Sequence, residues 1–205
     1  MRVDRVVTSG VFSLDGQDFD VENNVWVVGD EASVVVVDAA HDAAPIVAAV
    51  AGRQVQMILC THGHNDHVNV ALELGAAVGA PVALHPADRM LWDAVHPHHP
   101  PDVELIDGDT IGGLRVLHTP GHSPGGVCLV GTRRLEGQLF SGDTLFAGGP
   151  GATGRSHSDF PTIIESIRSA LLTLPPDTVV HTGHGEDTTI GAEAPHLQEW
   201  IDRGH

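Results

Sequence analysis

The 205-residue chain sets 10 Lys plus Arg against 27 Asp plus Glu, a formal net charge of −17 that repels phosphate backbones and anionic membrane surfaces. Its two cysteines, Cys60 and Cys128, sit in separate apolar runs and make no disulfide framework, and no apolar run approaches the ~18 residues of a membrane span. One domain over residues 1–205 is expected, in a soluble cytoplasmic protein without nucleic-acid or membrane partners.

Short strands are predicted at 3–8 and 11–14, followed by a hairpin of 24–29 with 33–38 across Gly29-Asp30-Glu31. Val34-Val35-Val36-Val37 is a β-branched run of the kind buried on both faces. It ends in Asp38, which suits equally an acceptor that orients a nearby site and a turn residue before a helix at 44–51. A strand at 55–60 then delivers Thr61-His62-Gly63-His64-Asn65-Asp66-His67, four metal-competent side chains within six residues, on a loop leading into a helix that runs to about Val78. In such a loop His62 and His64 can face one side and Asp66 and His67 another, which suits two adjacent metals. Imidazole and carboxylate without thiolate is the donor chemistry of a hydrolytic zinc or a non-haem iron site rather than of a closed structural zinc.

A strand at 82–84 and a helix at 86–95 continue the alternation, and His96-Pro97-His98-His99 reads as a solvated loop. Further on, strands are predicted at 103–106, 114–118, 126–130 and 138–141. His122 lies in a Gly- and Pro-fixed loop and is the next ligand candidate; Asp143 closes an apolar strand, where an uncompensated carboxylate would be costly, and is the candidate bridge between two metals. The stretch 149–156 matches a phosphate-binding loop only superficially, because Arg155 stands where lysine is needed and Pro161 marks a later helix start. It reads instead as a rim loop presenting Arg155 ahead of an amphipathic helix. After a strand at 178–180, His184 between two glycines is the preferred ligand over His181, and a short helix near 195–202 follows.

In this order, His62-Gly63-His64-Asn65-Asp66-His67, Thr119-Pro120-Gly121-His122-Ser123-Pro124, Ser141-Gly142-Asp143-Thr144 and Thr182-Gly183-His184-Gly185 resemble the metallo-β-lactamase fold superfamily over about residues 25–189, and the stretch 148–161 resembles its short glyoxalase II-like hydrolases. The resemblance implies an α+β fold: a four-layer αββα sandwich of two mixed sheets with helices on the outer faces. It implies that His62, His64 and His122 hold one divalent ion, that Asp66, His67 and His184 hold another, and that Asp143 bridges them. Zinc is the expected metal, with iron and manganese as alternatives. The implied reaction is thioester hydrolysis by a water acidified between the metals and oriented by Asp66, on a small acyl-thiol substrate contacted by Arg155 and His157. Full-length glyoxalase II enzymes use lysine and tyrosine contacts, and neither residue type occurs in this sequence, which points away from glutathione and toward another low-molecular-weight thiol. The alternatives are a persulfide dioxygenase of the same fold with a single iron, and a metal-binding module without turnover.

Overall fold

The computed structural model describes residues 1–204 and contains two six-stranded sheets. The first is built in sequence order from β1 (Arg2–Leu14), β2 (Gln17–Gly29), β3 (Ser33–Val37), β4 (Gln54–Leu59), β5 (Val82–Leu84) and β6 (Val103–Glu104). The second begins with β7 (Thr110–Ile111), β8 (Leu114–His118), β9 (Val127–Gly131) and β10 (Gln138–Gly142). A small hairpin of β11 (Leu145–Phe146) and β12 (Gly149–Pro150) leaves it, and β13 (Val179–Thr182) and β14 (Thr188–Thr189) complete it on the β10 side. Both sheets are mixed. The β1–β2–β3 pairings are antiparallel and β3 to β6 parallel, while in the second sheet only β10 with β13 is parallel.

The valine run explains the layering. Side chains alternate across a strand, so Val34 and Val36 join the helix-facing core, with Val25, Val27, Ile46, Leu74 and Trp92, whereas Val35 and Val37 face the second sheet. Between the sheets these meet Leu114, Val116, Leu129 and Phe140. On the far side, Cys128, Val130, Leu139 and Val180 pack against Ile163, Ile167, Leu171 and Trp200. The helices are α1 (Ala43–Val50), α2 (Asn65–Val68), α3 (Ala71–Val78) and α4 (Arg89–Val95) on the first sheet, and α5 (Phe160–Ser166), α6 (Ile190–Glu193) and α7 (Leu197–Arg203) toward the second. The expected αββα sandwich is the observed architecture, and both cysteines are buried free thiols. No helix among the described residues is long and apolar enough to cross a membrane.

Three local expectations need correction. The two short strands at 3–8 and 11–14 are one strand, and a strand expected to start at 24 starts at Gln17. The signal was present: Asp15 and Gly16 both have positive φ, 54° and 73°, the requirement of a two-residue hairpin turn favouring Asp-Gly. The arm 17–22 hides because its apolar residues, Phe19 and Val21, alternate with Asp18, Asp20 and Glu22 on an exposed ribbon. The helix after the metal loop is broken into α2 and α3. Finally, the 96–99 loop is only partly solvated, since the His96 Nε2–H reaches the Val68 carbonyl at 2.8 Å and the Trp92 indole donates to the His99 carbonyl at 2.7 Å.

Phe140 is fully buried between the sheets, edge-on to Trp26 with centroids 6.0 Å apart. Phe140→Ala should lower the unfolding free energy by ~3–5 kcal/mol, read from a denaturant titration.

Candidate metal centre

The strands β3, β4, β8, β10 and β13 all end at one edge of the sandwich, and the loops that leave them carry the predicted ligand side chains. The backbone of Asp38, at the end of β3, takes up a positive φ of 64°. Its carboxylate accepts from the Thr61 N–H (2.7 Å), the Thr61 hydroxyl (3.0 Å) and the His67 Nδ1–H (2.9 Å). Of the two roles open to Asp38, the geometry selects the orienting one: one buried carboxylate fixes both the start of the His-rich loop and the His67 ring.

The same device repeats around the site. The His62 Nδ1–H faces the Thr61 hydroxyl at 3.1 Å, the His122 Nδ1–H faces the Ala152 carbonyl at 2.9 Å, and the His184 Nδ1–H faces the Glu22 carbonyl at 2.6 Å. With the outer nitrogen of each ring holding its proton, the inner nitrogen presents a lone pair to the centre. His62 Nε2 and His122 Nε2 each lie 3.0 Å from His64 Nδ1, and His67 Nε2 lies 3.2 Å from His184 Nε2. Asp66 Oδ2 is 3.3 Å from His184 Nε2 and 3.5 Å from His67 Nε2. Asp143 reaches both groups, with Oδ1 3.4 Å from His67 Nε2 and Oδ2 3.4 Å from His184 Nε2 and 3.6 Å from His122 Nε2.

The structure therefore brings together all seven predicted residues: His62, His64 and His122 form one triad, Asp66, His67 and His184 a second, and Asp143 also completes a group with His62 and His67. Acceptors that face acceptors at such distances need a cation between them. Asp66 Oδ1 and Asp143 Oδ1 are moreover buried without a hydrogen-bond partner. The donor set, imidazole and carboxylate with no thiolate, fits divalent zinc or iron.

Proton affinities within the cluster divide the same way. Burial, helped by the neighbouring rings, holds His62 neutral and takes His64 down to about 3, so neither takes a proton near neutrality. Burial also opposes charge on His184 and His67, but the Asp143 and Asp66 carboxylates outweigh it, raising His184 to about 10 and His67 well above the ordinary imidazole range. In return those cationic rings hold Asp143 well below the usual carboxylate range, against its burial. In the absence of metal, protons occupy the place that cations would take.

The remaining predicted residues separate. Arg155 lines a cleft with Phe12, Leu14, His64, His122 and Ala152, its guanidinium 4.5 Å from the centre of the Phe19 ring. His157 is exposed and does not line that cleft. His181 stays apart from both triads, held by Asp187 at 2.8 Å and Gln138 at 2.7 Å and stacked on Phe140.

Two positioning residues escaped the sequence reading. Asp88, buried at the start of α4, accepts from the Gly63 N–H at 2.8 Å, the Ser123 hydroxyl at 2.7 Å and the Gly125 N–H, tying the His62–His67 loop to the His122 loop. These partners are 25 to 37 residues away, so no local pattern announces them. Asn23 donates to Asp66 Oδ2 at 3.0 Å; its signal was the pair of amides, Asn23-Asn24, opening the apolar part of β2.

Residues 19–184 match the family model described as the metallo-beta-lactamase superfamily. An uncharacterized protein of Aquifex aeolicus is 36% identical over 187 residues, covering 83% of this chain and 88% of that protein. Hydroxyacylglutathione hydrolase GloC of Haemophilus influenzae is 29% identical over 188 residues, covering 82% of this chain and 87% of that protein. Among solved structures, TTHA1623 in a di-iron-bound form superimposes with a TM-score of 0.75 at 34% identity, covering 85% of this chain and 93% of that one.

Asp38→Ala removes the acceptor for His67 and strands the buried Thr61 N–H. It should weaken metal binding at the Asp66/His67/His184 triad ~10–100-fold in chelator competition, and lower stability by ~1–3 kcal/mol.

Proposed function

The chain belongs to the metallo-beta-lactamase superfamily, and from that premise we propose that it is a metal-dependent hydrolase cleaving the thioester of a small anionic thiol. The observation that carries this reading is the pair of triads with Asp143 within reach of both, the first triad opening through His64 and His122 onto a cleft that Arg155 also lines. Likeness to a hydroxyacylglutathione hydrolase supports the bond class, and likeness to a di-iron-bound protein supports two divalent ions, with iron a fitting occupant.

When bound, two divalent ions would supply Lewis acidity, polarising a carbonyl and bringing the pKa of a water toward neutrality. His62, His64 and His122 would hold one, Asp66, His67 and His184 the other, with Asp143 between. The chain's own groups account for the remaining requirements. Asp66 Oδ1, buried and free of partners, is placed to orient the attacking water and take its hydrogen bond. Phe12 and Leu14 make the cleft wall apolar and limit access of bulk water to the reacting carbonyl. Arg155, held over Phe19, presents N–H groups to an anionic part of the thiol carrier.

The leaving group decides between bond classes. A thiol with a pKa near ~8.5 departs as thiolate without an acid, whereas an amine must be protonated as it leaves. The sequence contains no lysine and no tyrosine to serve as that acid, so thioesters fit the available groups better than amides.

Three measurements on protein isolated without added metal test the assignment together: elemental analysis, cleavage of S-acyl thiols, and oxygen uptake with a thiol persulfide. Two metal ions per chain with thioester cleavage are expected. One iron with oxygen uptake would replace the hydrolase by a dioxygenase, and retained metal without any turnover would make the chain a binding module.

Asp143→Ala should cost at least one metal ion and more than ~100-fold in kcat/KM, because it takes a carboxylate from both groups. Arg155→Ala should raise KM ~10-fold with kcat little changed, the signature of lost uniform binding.

A further inference from the structure

Behind the second triad lies a hydrogen-bonded chain that the chemistry above does not use. It begins at a group whose polarity is fixed: the His41 backbone N–H donates to Asn69 Oδ1 at 2.7 Å. An N–H can only donate, so the other end of the Asn69 amide is its NH2, which faces His41 Nδ1 at 3.1 Å. Nδ1 must then accept, and the ring carries its proton on Nε2. That Nε2–H donates to Asn23 Oδ1 at 2.8 Å. Asn23 is consequently turned with its NH2 toward the site, 3.0 Å from Asp66 Oδ2 and 3.2 Å from His67 Nε2.

Each link forces the next, so one backbone N–H determines which end of a fully buried amide faces two site residues. Reversed, Asn23 would set its oxygen against the Asp66 carboxylate. The backbone makes two allowances for this arrangement. His41 adopts a positive φ of 61°, and Gly10 of β1 packs so closely on the ring that an added Cβ would stand 2.2 Å from His41 Nδ1. Among the described residues the hydrogen-bond partners of the His41 side chain are Asn23 and Asn69, and it makes no hydrogen bond to either triad.

We infer that His41 is a positioning residue: acting through Asn23, it fixes Asp66 and His67 and thereby sets the metal affinity of the Asp66/His67/His184 triad, with little influence on His62/His64/His122. The inference rests on the reading of the triads as a metal centre but not on the identity of the substrate.

The test is zinc binding by the metal-stripped full chain, in competition with a chromophoric chelator that resolves two equivalents. His41→Ala should weaken one equivalent ~10–100-fold and leave the other within ~3-fold. His41→Gln, which returns an N–H donor near the Nε2 position, should recover most of the loss. Adding His41→Ala to Asn23→Ala should cause no further weakening, because the effect travels through that amide. Should His41→Ala prove unstable to metal stripping, Gly10→Ala displaces the ring by one methyl, removes no polar group and should give the same selective loss. Equal weakening of both equivalents, no weakening, failure of the glutamine rescue, or an additive double variant would each overturn the inference. Absence of zinc binding by the unsubstituted chain would instead refute the metal-centre reading itself.

Discussion

Ring nitrogens crowded against one another at 3.0 to 3.2 Å are the constraint on which the rest of this structure depends. Such an arrangement is unfavourable on its own, and a free loop would relax it by turning the rings. Here four of the five rings cannot turn, because the outward nitrogen of each is committed to the Thr61 hydroxyl, to Asp38, or to the carbonyls of Ala152 and Glu22. The binding geometry is thus built before any cation arrives, which limits the ordering that binding must bring about.

Holding the rings requires holding the loops, and buried carboxylates do most of that. Asp38 closes β3 and grips the loop after β4; Asp88 joins that loop to the one carrying His122. Burying a carboxylate is costly unless hydrogen bonds replace water, and each of these two accepts three. Both stand on elements anchored in cores: Val34 to Val37 between layers, and α4 through the fully buried Trp92 under the first sheet. Stability of the sandwich and accuracy of the site are consequently linked.

The long β1–β2 hairpin contributes on a different scale. Its base belongs to the first sheet, while its far end supplies Phe12 beside the site and sets Phe19 under Arg155, converting a half-buried loop arginine into a directed cation. Asp15 at its tip accepts from the Ser156 N–H, joining the hairpin to the loop on the opposite side of the cleft. The cleft that Arg155 lines is therefore shaped by the joint between these two segments, whereas the two triads belong to the strand ends and loops beside them.

Whatever depends on residue type and short spacing was legible in the chain. The ligand-competent residues His62, His64, Asp66, His67, His122, Asp143 and His184 were legible because each lies where an apolar strand stops in a polar or Gly-rich loop, and the layered fold was legible from the continuous valine run and its alternation with helical stripes. Even Asp15-Gly16 was readable as a turn, although the charged arm that follows it concealed the strand. Which of two roles Asp38 plays, that Asp88 ties two loops together, and that Asn23 and His41 stand behind Asp66 emerged with the folded arrangement. The physical reason is that a hydrogen bond is directional and acts within about 3 Å, so partners dozens of residues apart leave no periodic trace in the chain and become partners only when the two sheets close on each other.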